Sequence, residues 1–292
     1  MRNRGISGEM RLCGIIGDPI EHTISPIMHN AAFEKMRVNY LYVPFKVKKE
    51  DLGRAIKGMR ALNIRGLNVT IPHKVTVIPF LDELGRLAEK IGAVNTIVND
   101  DGVLRGYNTD ASGFLQALLE RGIEPKGKRV VILGAGGASR AISFILADRD
   151  ANLVILNRLL ELNWAEELAG KISQLFTKDV EALELNRENL EEALGNADML
   201  VNATSVGMSP NINETLISPK LLKSNLIVFD VVYNPMKTRL LREAEEAGAE
   251  TISGLDMLVW QGALAFELWT GLEAPVKLMK EEAIKVLQNS ED

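Results

Sequence analysis

Gly134-Ala135-Gly136-Gly137-Ala138-Ser139 has the composition and spacing of a turn that cradles phosphate. Gly134 permits a tight turn, and Gly136 lets the backbone approach a pyrophosphate with no side chain in the way. Ser139 stands where the pattern often has a third glycine and is small enough to keep a helix close to a strand. Such a turn needs a strand before it and a helix after it, and both are predicted. Val130-Val131-Ile132-Leu133 is an apolar, β-branched run, and Ala141, Ile142, Ile145 and Leu146 follow at helical spacing. The helix start presents N–H groups and a positive dipole end to an anion. A second apolar run at 153–156 ends in Asn157-Arg158. An acid there would accept from a ribose 2′-OH and repel a 2′-phosphate. Neutral Asn157 beside Arg158, whose planar fork suits phosphate, favours NADP over NAD, with an Arg on a solvated loop as the alternative.

Other polar residues sit at the ends of predicted elements. Residues 12–16 read as a first buried strand, broken by Gly17-Asp18-Pro19. Thr23 and Ser25 precede a helical pattern of Ile27, Met28, Ala31, Ala32 and Phe33, with Pro26 in its first turn. Ser25 is the candidate N-cap. Two hydroxyls beside a positive helix end make a carboxylate seat, and a plain cap is the equal alternative. Residues 40–47 alternate as a second strand, and 51–62 read as an amphipathic helix. The strand at 66–72 is predicted to end at Pro72, with Asn68 and Thr70 on one face. Buried polar side chains need partners, which either a polyhydroxylated ligand or a sheet rim supplies.

A further strand over 91–98 contains Asn95. Asp100-Asp101-Gly102 predicts a hairpin turn, and 104–107 returns to Asn108-Thr109-Asp110 and a helix through Phe114, Leu115, Leu118 and Leu119. Taken singly, Lys74 reads as a solvated charge after a strand and Asp110 as an N-cap. Strands at 197–201 and 226–232 end in Asn202-Ala203-Thr204-Ser205 and Tyr233-Asn234-Pro235. In a parallel sheet both ends lie on the carboxyl edge, where ligands bind. A helix over 240–247 stops at Gly248, a short strand spans 250–252, and two helices follow: 258–268, apolar all round, and 276–287, amphipathic.

Composition removes several classes. The 292 residues suffice for two domains with a core in each. A net charge of −5 leaves no basic footprint for nucleic acid or an anionic membrane. The single cysteine, Cys13, makes no intramolecular disulfide, and His22, His29 and His73 lack metal-ligand spacing, so no metal is expected. The first ten residues carry Arg2 and Arg4 without the apolar stretch of a signal peptide, and no run approaches membrane-spanning length. The Asn-x-Thr triplets at 68, 202 and 213 therefore read as chance matches, and the expected compartment is the cytoplasm.

Asn-Val-Thr-Ile-Pro-His-Lys at 68–74, Gly-Ala-Val-Asn-Thr at 92–96 and Asn-Thr-Asp at 108–110 resemble the shikimate dehydrogenase (shikimate/quinate dehydrogenase) family. The resemblance continues through Ala-Thr-Ser-Val-Gly-Met at 203–208, Tyr-Asn-Pro at 233–235 and Gly-Leu-Asp-Met-Leu-Val-Trp-Gln at 254–261, in the family's order over nearly the whole chain. It implies an α/β protein of two domains with a cleft between them. Residues 1–110 and 256–292 would form a substrate-binding catalytic domain with a mixed sheet. Residues 111–255 would form a Rossmann-type NADP-binding domain, with the C-terminal helices returning to the first.

The implied activity is the reversible NADPH-dependent reduction of 3-dehydroshikimate to shikimate, on the route to chorismate and the aromatic amino acids. Lys74 would give the 3-oxo group its proton and take it back in reverse. Asp110 would orient the substrate hydroxyl and hold Lys74. Thr23 and Ser25, with Tyr233, would hold the substrate carboxylate, and Asn68, Thr70, Asn95 and Gln261 would bind ring hydroxyls. Gly134, Ala135, Gly136, Gly137, Ala138, Ser139, Asn157, Arg158, Thr204, Ser205 and Gly254 would line the cofactor. Thr23 replaces the more usual Ser, which tightens the pocket by a methyl. Leu159 and Leu162 replace a Thr and a basic residue, which leaves Arg158 fewer helpers for a 2′-phosphate. A quinate/shikimate dehydrogenase using NAD or NADP, and a nucleotide-binding regulator without turnover, stay open beside this reading, as does a homodimer.

Overall fold

The first apolar run lies inside a mixed sheet. The computed structural model describes residues 7–289, so Arg2 and Arg4 lie outside the described residues. Strand β1 (Arg11–Gly17) pairs in parallel with β2 (Tyr40–Lys46) on one side and β3 (Gly66–Val69) on the other. Helices α1 (Ser25–Lys35) and α2 (Leu52–Ala61) make the two crossovers. After β3 come β4 (Glu83–Leu84), α3 (Arg86–Ile91), β5 (Thr96–Asp100) and β6 (Val103–Tyr107). The order is β2-β1-β3-β5-β6-β4, with β3–β5 and β5–β6 antiparallel. Asp101 and Gly102 both take positive φ in the two-residue loop that joins β5 to β6, as a hairpin of this hand requires.

Three expectations shift here. The strand β3 ends at Val69 rather than Pro72, because Thr70 closes a turn: its carbonyl accepts the His73 N–H at 2.9 Å. Residue 91 ends a helix instead of starting a strand. Gly92 caps that helix at φ +73, and Asn95 lies one residue before β5. The N-cap of α1 is Ile24, already helical, so Ser25 is the first residue of the helix.

The second unit alternates strand and helix: α4 (Asp110–Leu119), β7 (Arg129–Leu133), α5 (Gly137–Asp148), β8 (Asn152–Asn157), α6 (Leu162–Phe176), β9 (Glu181–Glu184), α7 (Arg187–Gly195), β10 (Met199–Asn202), β11 (Ile227–Asp230), α8 (Arg239–Glu246) and β12 (Glu250–Ser253). All six strands are parallel in the order β12-β11-β10-β7-β8-β9. Counted from β7, this is the doubly wound dinucleotide order, with its switch point between β7 and β10. Helix α9 (Gly254–Thr270) starts at Gly254, four residues earlier than its apolar run suggests, and α10 (Val276–Asn289) ends the described chain.

Two compact units divide the chain: Met1–Thr109 with Gly262–Val286, and Asp110–Gln261 with Leu287–Asp292. In the first, the indole N–H of Trp269 donates to the Ile97 carbonyl at 3.1 Å. The Trp269 carbonyl accepts from Arg65 Nε at 3.0 Å and from the Tyr40 hydroxyl at 3.1 Å. A Cβ on Gly66 would run into the Trp269 ring, so the close seat of α9 on this sheet needs glycine there. In the second, residues 130–133 of β7 and 153–156 of β8 are buried apolar runs, as strands covered on both faces must be. Among the described residues no helix is long and apolar enough to cross a membrane.

Candidate active site

In the first unit the polar motif residues form one hydrogen-bonded frame. The Lys74 carbonyl accepts the Val94 N–H at 2.7 Å, and the Asn95 N–H goes to the Tyr107 carbonyl at 3.0 Å. Asn95 then grips the next motif. Its Oδ1 accepts the Thr109 N–H at 2.7 Å, and its Nδ2 donates to Thr109 Oγ1 at 2.9 Å. Asn108 Nδ2 donates to the Ala93 carbonyl at 3.0 Å. Asn95, Asn108, Thr109 and Asp110 are all buried, and Lys74 is half-buried. The motifs at 68–74 and 92–96 thus meet Asn108 and Thr109 at one sheet end, and Asp110 is the first residue of α4.

A second polar chain lies beside it. Asn68 Nδ2 donates to the Asn95 carbonyl at 3.3 Å and to Thr96 Oγ1 at 3.1 Å, while its Oδ1 accepts the Tyr42 hydroxyl at 2.7 Å. Asn68 keeps one acceptor lone pair beyond these bonds. The Ser25 N–H reaches Thr23 Oγ1 at 3.4 Å. Ser25, buried at the first position of α1, is not the helix cap. Burial pushes the Tyr42 phenol well above its ordinary value, so the group is a neutral donor. Thr70, just past the strand end, is half-buried. Sequence reasoning missed Tyr42, because an aromatic in an alternating strand looks like any other core residue.

His29 supports this chain from beneath. Its ring stacks on Tyr42 at 4.4 Å and 9° and lies 5.2 Å from the Trp269 ring. It is fully buried, neither ring nitrogen has a hydrogen-bond partner, and burial pushes its pKa down to about 3.

In the second unit the glycine loop has the conformation its residues suggest. Gly134 sits at φ +96, where a Cβ would press on the Thr204 methyl at 2.9 Å. Gly136 is the N-cap of α5, and a Cβ there would meet nothing within 4 Å. The loop thus packs on the Thr204 segment at one glycine and leaves open space at the other. Ser139 is fully buried, and its hydroxyl donates to the Gly134 carbonyl at 2.6 Å, locking the turn to the helix. The first-turn N–H groups of α5 have no intrahelical acceptor. Ala135, Gly137 and Ala138 complete the loop. This cradle fits the diphosphate of a dinucleotide. Asn157 ends β8, with its Nδ2 on the Glu161 carbonyl at 2.7 Å, and Arg158 is exposed.

The carboxyl ends of β10 and β11 are tied by an acid that the sequence reading passed over. Asp230 is fully buried and accepts from Thr238 Oγ1 at 2.6 Å, Asn202 Nδ2 at 2.9 Å and the Val232 N–H at 3.1 Å. Burial outweighs these bonds and raises its pKa to about 6. Asn202 Oδ1 in turn accepts the Thr204 N–H at 3.1 Å and Thr204 Oγ1 at 2.7 Å, which leaves Ser205 exposed on the loop. One buried carboxylate therefore braces both the Thr204 loop and the segment entering Tyr233. Tyr233 is partly exposed, and burial raises its phenol above the ordinary value. Gly254 starts α9 against the Val231 and Asp230 carbonyls, with no room for a side chain. Gln261, nearly buried, donates to the Leu258 carbonyl of its own helix at 2.9 Å. An acid inside an apolar strand was the available signal for Asp230.

Three family descriptions match the chain in order: the shikimate dehydrogenase substrate binding domain over residues 15–97, shikimate / quinate 5-dehydrogenase over 117–235, and the shikimate 5'-dehydrogenase C-terminal domain over 254–284. The chain is 50% identical over 280 residues to the shikimate dehydrogenase (NADP(+)) of Dehalococcoides mccartyi strain BAV1, covering 96% of this chain and 97% of that one. A crystal structure of a shikimate dehydrogenase in complex with NADP+ superposes with a TM-score of 0.91 at 44% identity, covering 97% of this chain and 98% of that one. The Listeria monocytogenes shikimate 5-dehydrogenase, solved with shikimate and NAD, gives 0.88 at 44% identity, covering 94% and 97%. Motif order, both sheets and full-length identity agree, and the chain belongs to the shikimate dehydrogenase family.

Proposed function

We propose that this protein is an NADP-dependent shikimate dehydrogenase, interconverting 3-dehydroshikimate and shikimate. What supports the reading most is the frame in which Asn95 holds Thr109, the residue before Asp110, and Val94 holds the Lys74 carbonyl. When bound, NADPH supplies the hydride that reduces the substrate carbonyl carbon. Lys74 stabilises the negative charge that develops on the carbonyl oxygen and transfers its proton there, forming the alcohol and leaving a neutral amine that regains a proton from solvent. In reverse the neutral amine takes the hydroxyl proton. Asp110 orients the substrate hydroxyl and keeps Lys74 in place, so the two act as the catalytic pair.

Thr23, Ser25 and Tyr233 hold the substrate carboxylate, all three through hydroxyls. Asn68, Thr70, Asn95 and Gln261 bind the ring hydroxyls. Residues 134–139 hold the diphosphate, Asn157 and Arg158 the adenosine end, and Thr204, Ser205 and Gly254 the rest of the cofactor. The substrate-binding domain is assigned to residues 1–110 with 256–292 and the cofactor domain to 111–255. A cytoplasmic location and a homodimer belong to the same proposal, the latter to be checked by light scattering.

Nicotinamide absorbance on mixing the protein with shikimate or quinate, and NADP+ or NAD+, tests the reading. The expected result is fastest turnover with shikimate and NADP+. A clear preference for quinate with NAD+ overturns the substrate and cofactor assignment, and no turnover with any pair overturns the enzyme.

A further inference from the structure

The guanidinium at the end of β8 is gripped by an acid three residues along. Arg158 Nε donates to Glu161 Oε2 at 2.6 Å and Nη2 donates to Oε1 at 2.5 Å, a bidentate fork. The acid is the more firmly held partner: its side chain is 23% exposed against 69% for Arg158. The Glu161 N–H bonds the Arg158 carbonyl at 2.9 Å, and Asn157 Nδ2 bonds the Glu161 carbonyl at 2.7 Å. Asn157, Arg158 and Glu161 therefore close a small ring in which the one cation is matched by the one anion. The rest of 157–162 is leucine, so the segment supplies no second cation. Arg140 of α5 bonds Glu167 of α6 at 3.4 Å.

We propose that Glu161 sets the cofactor preference of this protein by competing with a 2′-phosphate for the Arg158 fork, a reading that rests on the NADP assignment above. A 2′-phosphate that takes the Nε–Nη2 edge must break both N–H···O bonds, and one that takes the remaining Nη1 and Nη2 N–H groups shares the cation with the Glu161 carboxylate, like charge near like charge. An unphosphorylated ribose leaves the ion pair standing. Its 2′-hydroxyl can donate to the Glu161 carboxylate, the role an acid plays near the end of this strand in NAD sites. NADP binding is weakened without being excluded, and NAD binding is supported. The discrimination that Arg158 alone would give is compressed.

Glu161→Gln keeps the shape and removes the charge. Calorimetric titration with adenosine 2′,5′-bisphosphate and with 5′-AMP reads the subsite without turnover, and KM for NADP+ and NAD+ reads it during turnover. In E161Q the Kd of the bisphosphate and the KM of NADP+ are expected to fall by roughly threefold to tenfold. The values for 5′-AMP and NAD+ are expected to hold or rise. In an R158A background, the gain from E161Q is expected to shrink below about twofold, since the competition needs the fork. Equal effects on both nucleotides, no effect on either, or an undiminished gain without Arg158 would overturn the inference alone. Failure of the unmodified protein to bind the bisphosphate or turn over NADP+ removes the NADP reading and this inference with it.

Discussion

The Lys74 carbonyl accepts the Val94 N–H at 2.7 Å. That bond ties the turn after β3 to the segment entering β5, and the next residue, Asn95, carries the tie on to Thr109. The backbone of Lys74 is thereby held at a fixed height on the sheet end. Proton transfer depends on sub-ångström placement, so Lys74 in its proposed role as general acid gains from such an anchor.

Lys74→Ala is expected to lower kcat by about 10²- to 10⁴-fold, the usual worth of a positioned proton donor, with a much smaller change in the shikimate KM. Steady-state kinetics in the oxidative direction read both. Unchanged kcat would take Lys74 out of the chemistry.

Asn95→Ala removes the partner of two buried groups, the Thr109 N–H and hydroxyl. The expected cost is about 1–3 kcal/mol in urea unfolding. A drop in kcat larger than the loss of folded protein should accompany it, because Thr109 positions the start of α4. Full activity in the folded fraction would show that the frame is structural only.

Gly134→Val forces a β-branched residue to φ +96, against the Thr204 methyl. The strain is of order 1–3 kcal/mol and falls on the loop proposed to hold the diphosphate. The expected phenotype is a lower Tm with a raised KM for NADP+ and NAD+ alike, since both carry the diphosphate. A change confined to one cofactor would contradict the assignment of this loop.

His29 and Asp230 give opposite pH slopes. The His29 pKa is depressed to about 3. The unfolded chain takes up the proton first, so stability is flat above about pH 6.5 and falls as pH drops from there towards 3. Between pH 6.5 and 5 that loss is about 2 kcal/mol. His29→Phe should flatten it, as read from urea midpoints across pH, whatever its effect on absolute stability. An unchanged slope would mean the imidazole is protonated in the fold.

Asp230, raised to about 6, behaves in reverse: its contribution is fullest at low pH and is lost as pH climbs from about 4 to 6, by roughly 3 kcal/mol. Asp230→Asn should remove that decline and so steepen the acid-side loss that His29 causes. A profile identical to the parent protein would mean the three hydrogen bonds hold Asp230 ionised throughout.

Some of this was legible in the chain because its causes are local. A glycine at positive φ, a hydroxyl that closes the turn and an apolar run on each side are all contained in residues 130–146, and the loop follows from them. The Asp101-Gly102 hairpin is local in the same sense. The helix at 86–91 was not legible, since only Gly92 marks its end and Ile91 suits either element. The resemblance proposed site residues without the hydrogen-bond partners that hold their backbone.

The order of motifs along the chain, and the local turns within them, belong to the sequence by itself, because each depends on neighbours a few residues away. The tertiary structure decided which polar groups meet. Lys74, Val94 and Thr109 are distant in sequence and come together only through the order β1-β3-β5-β6. Tyr42 reaches Asn68 because β2 and β3 flank the same strand, and Asp230 finds Asn202 because β10 and β11 are neighbours. Buried donors and acceptors must be paired, and strand order and register, which no local pattern encodes, choose the pairs.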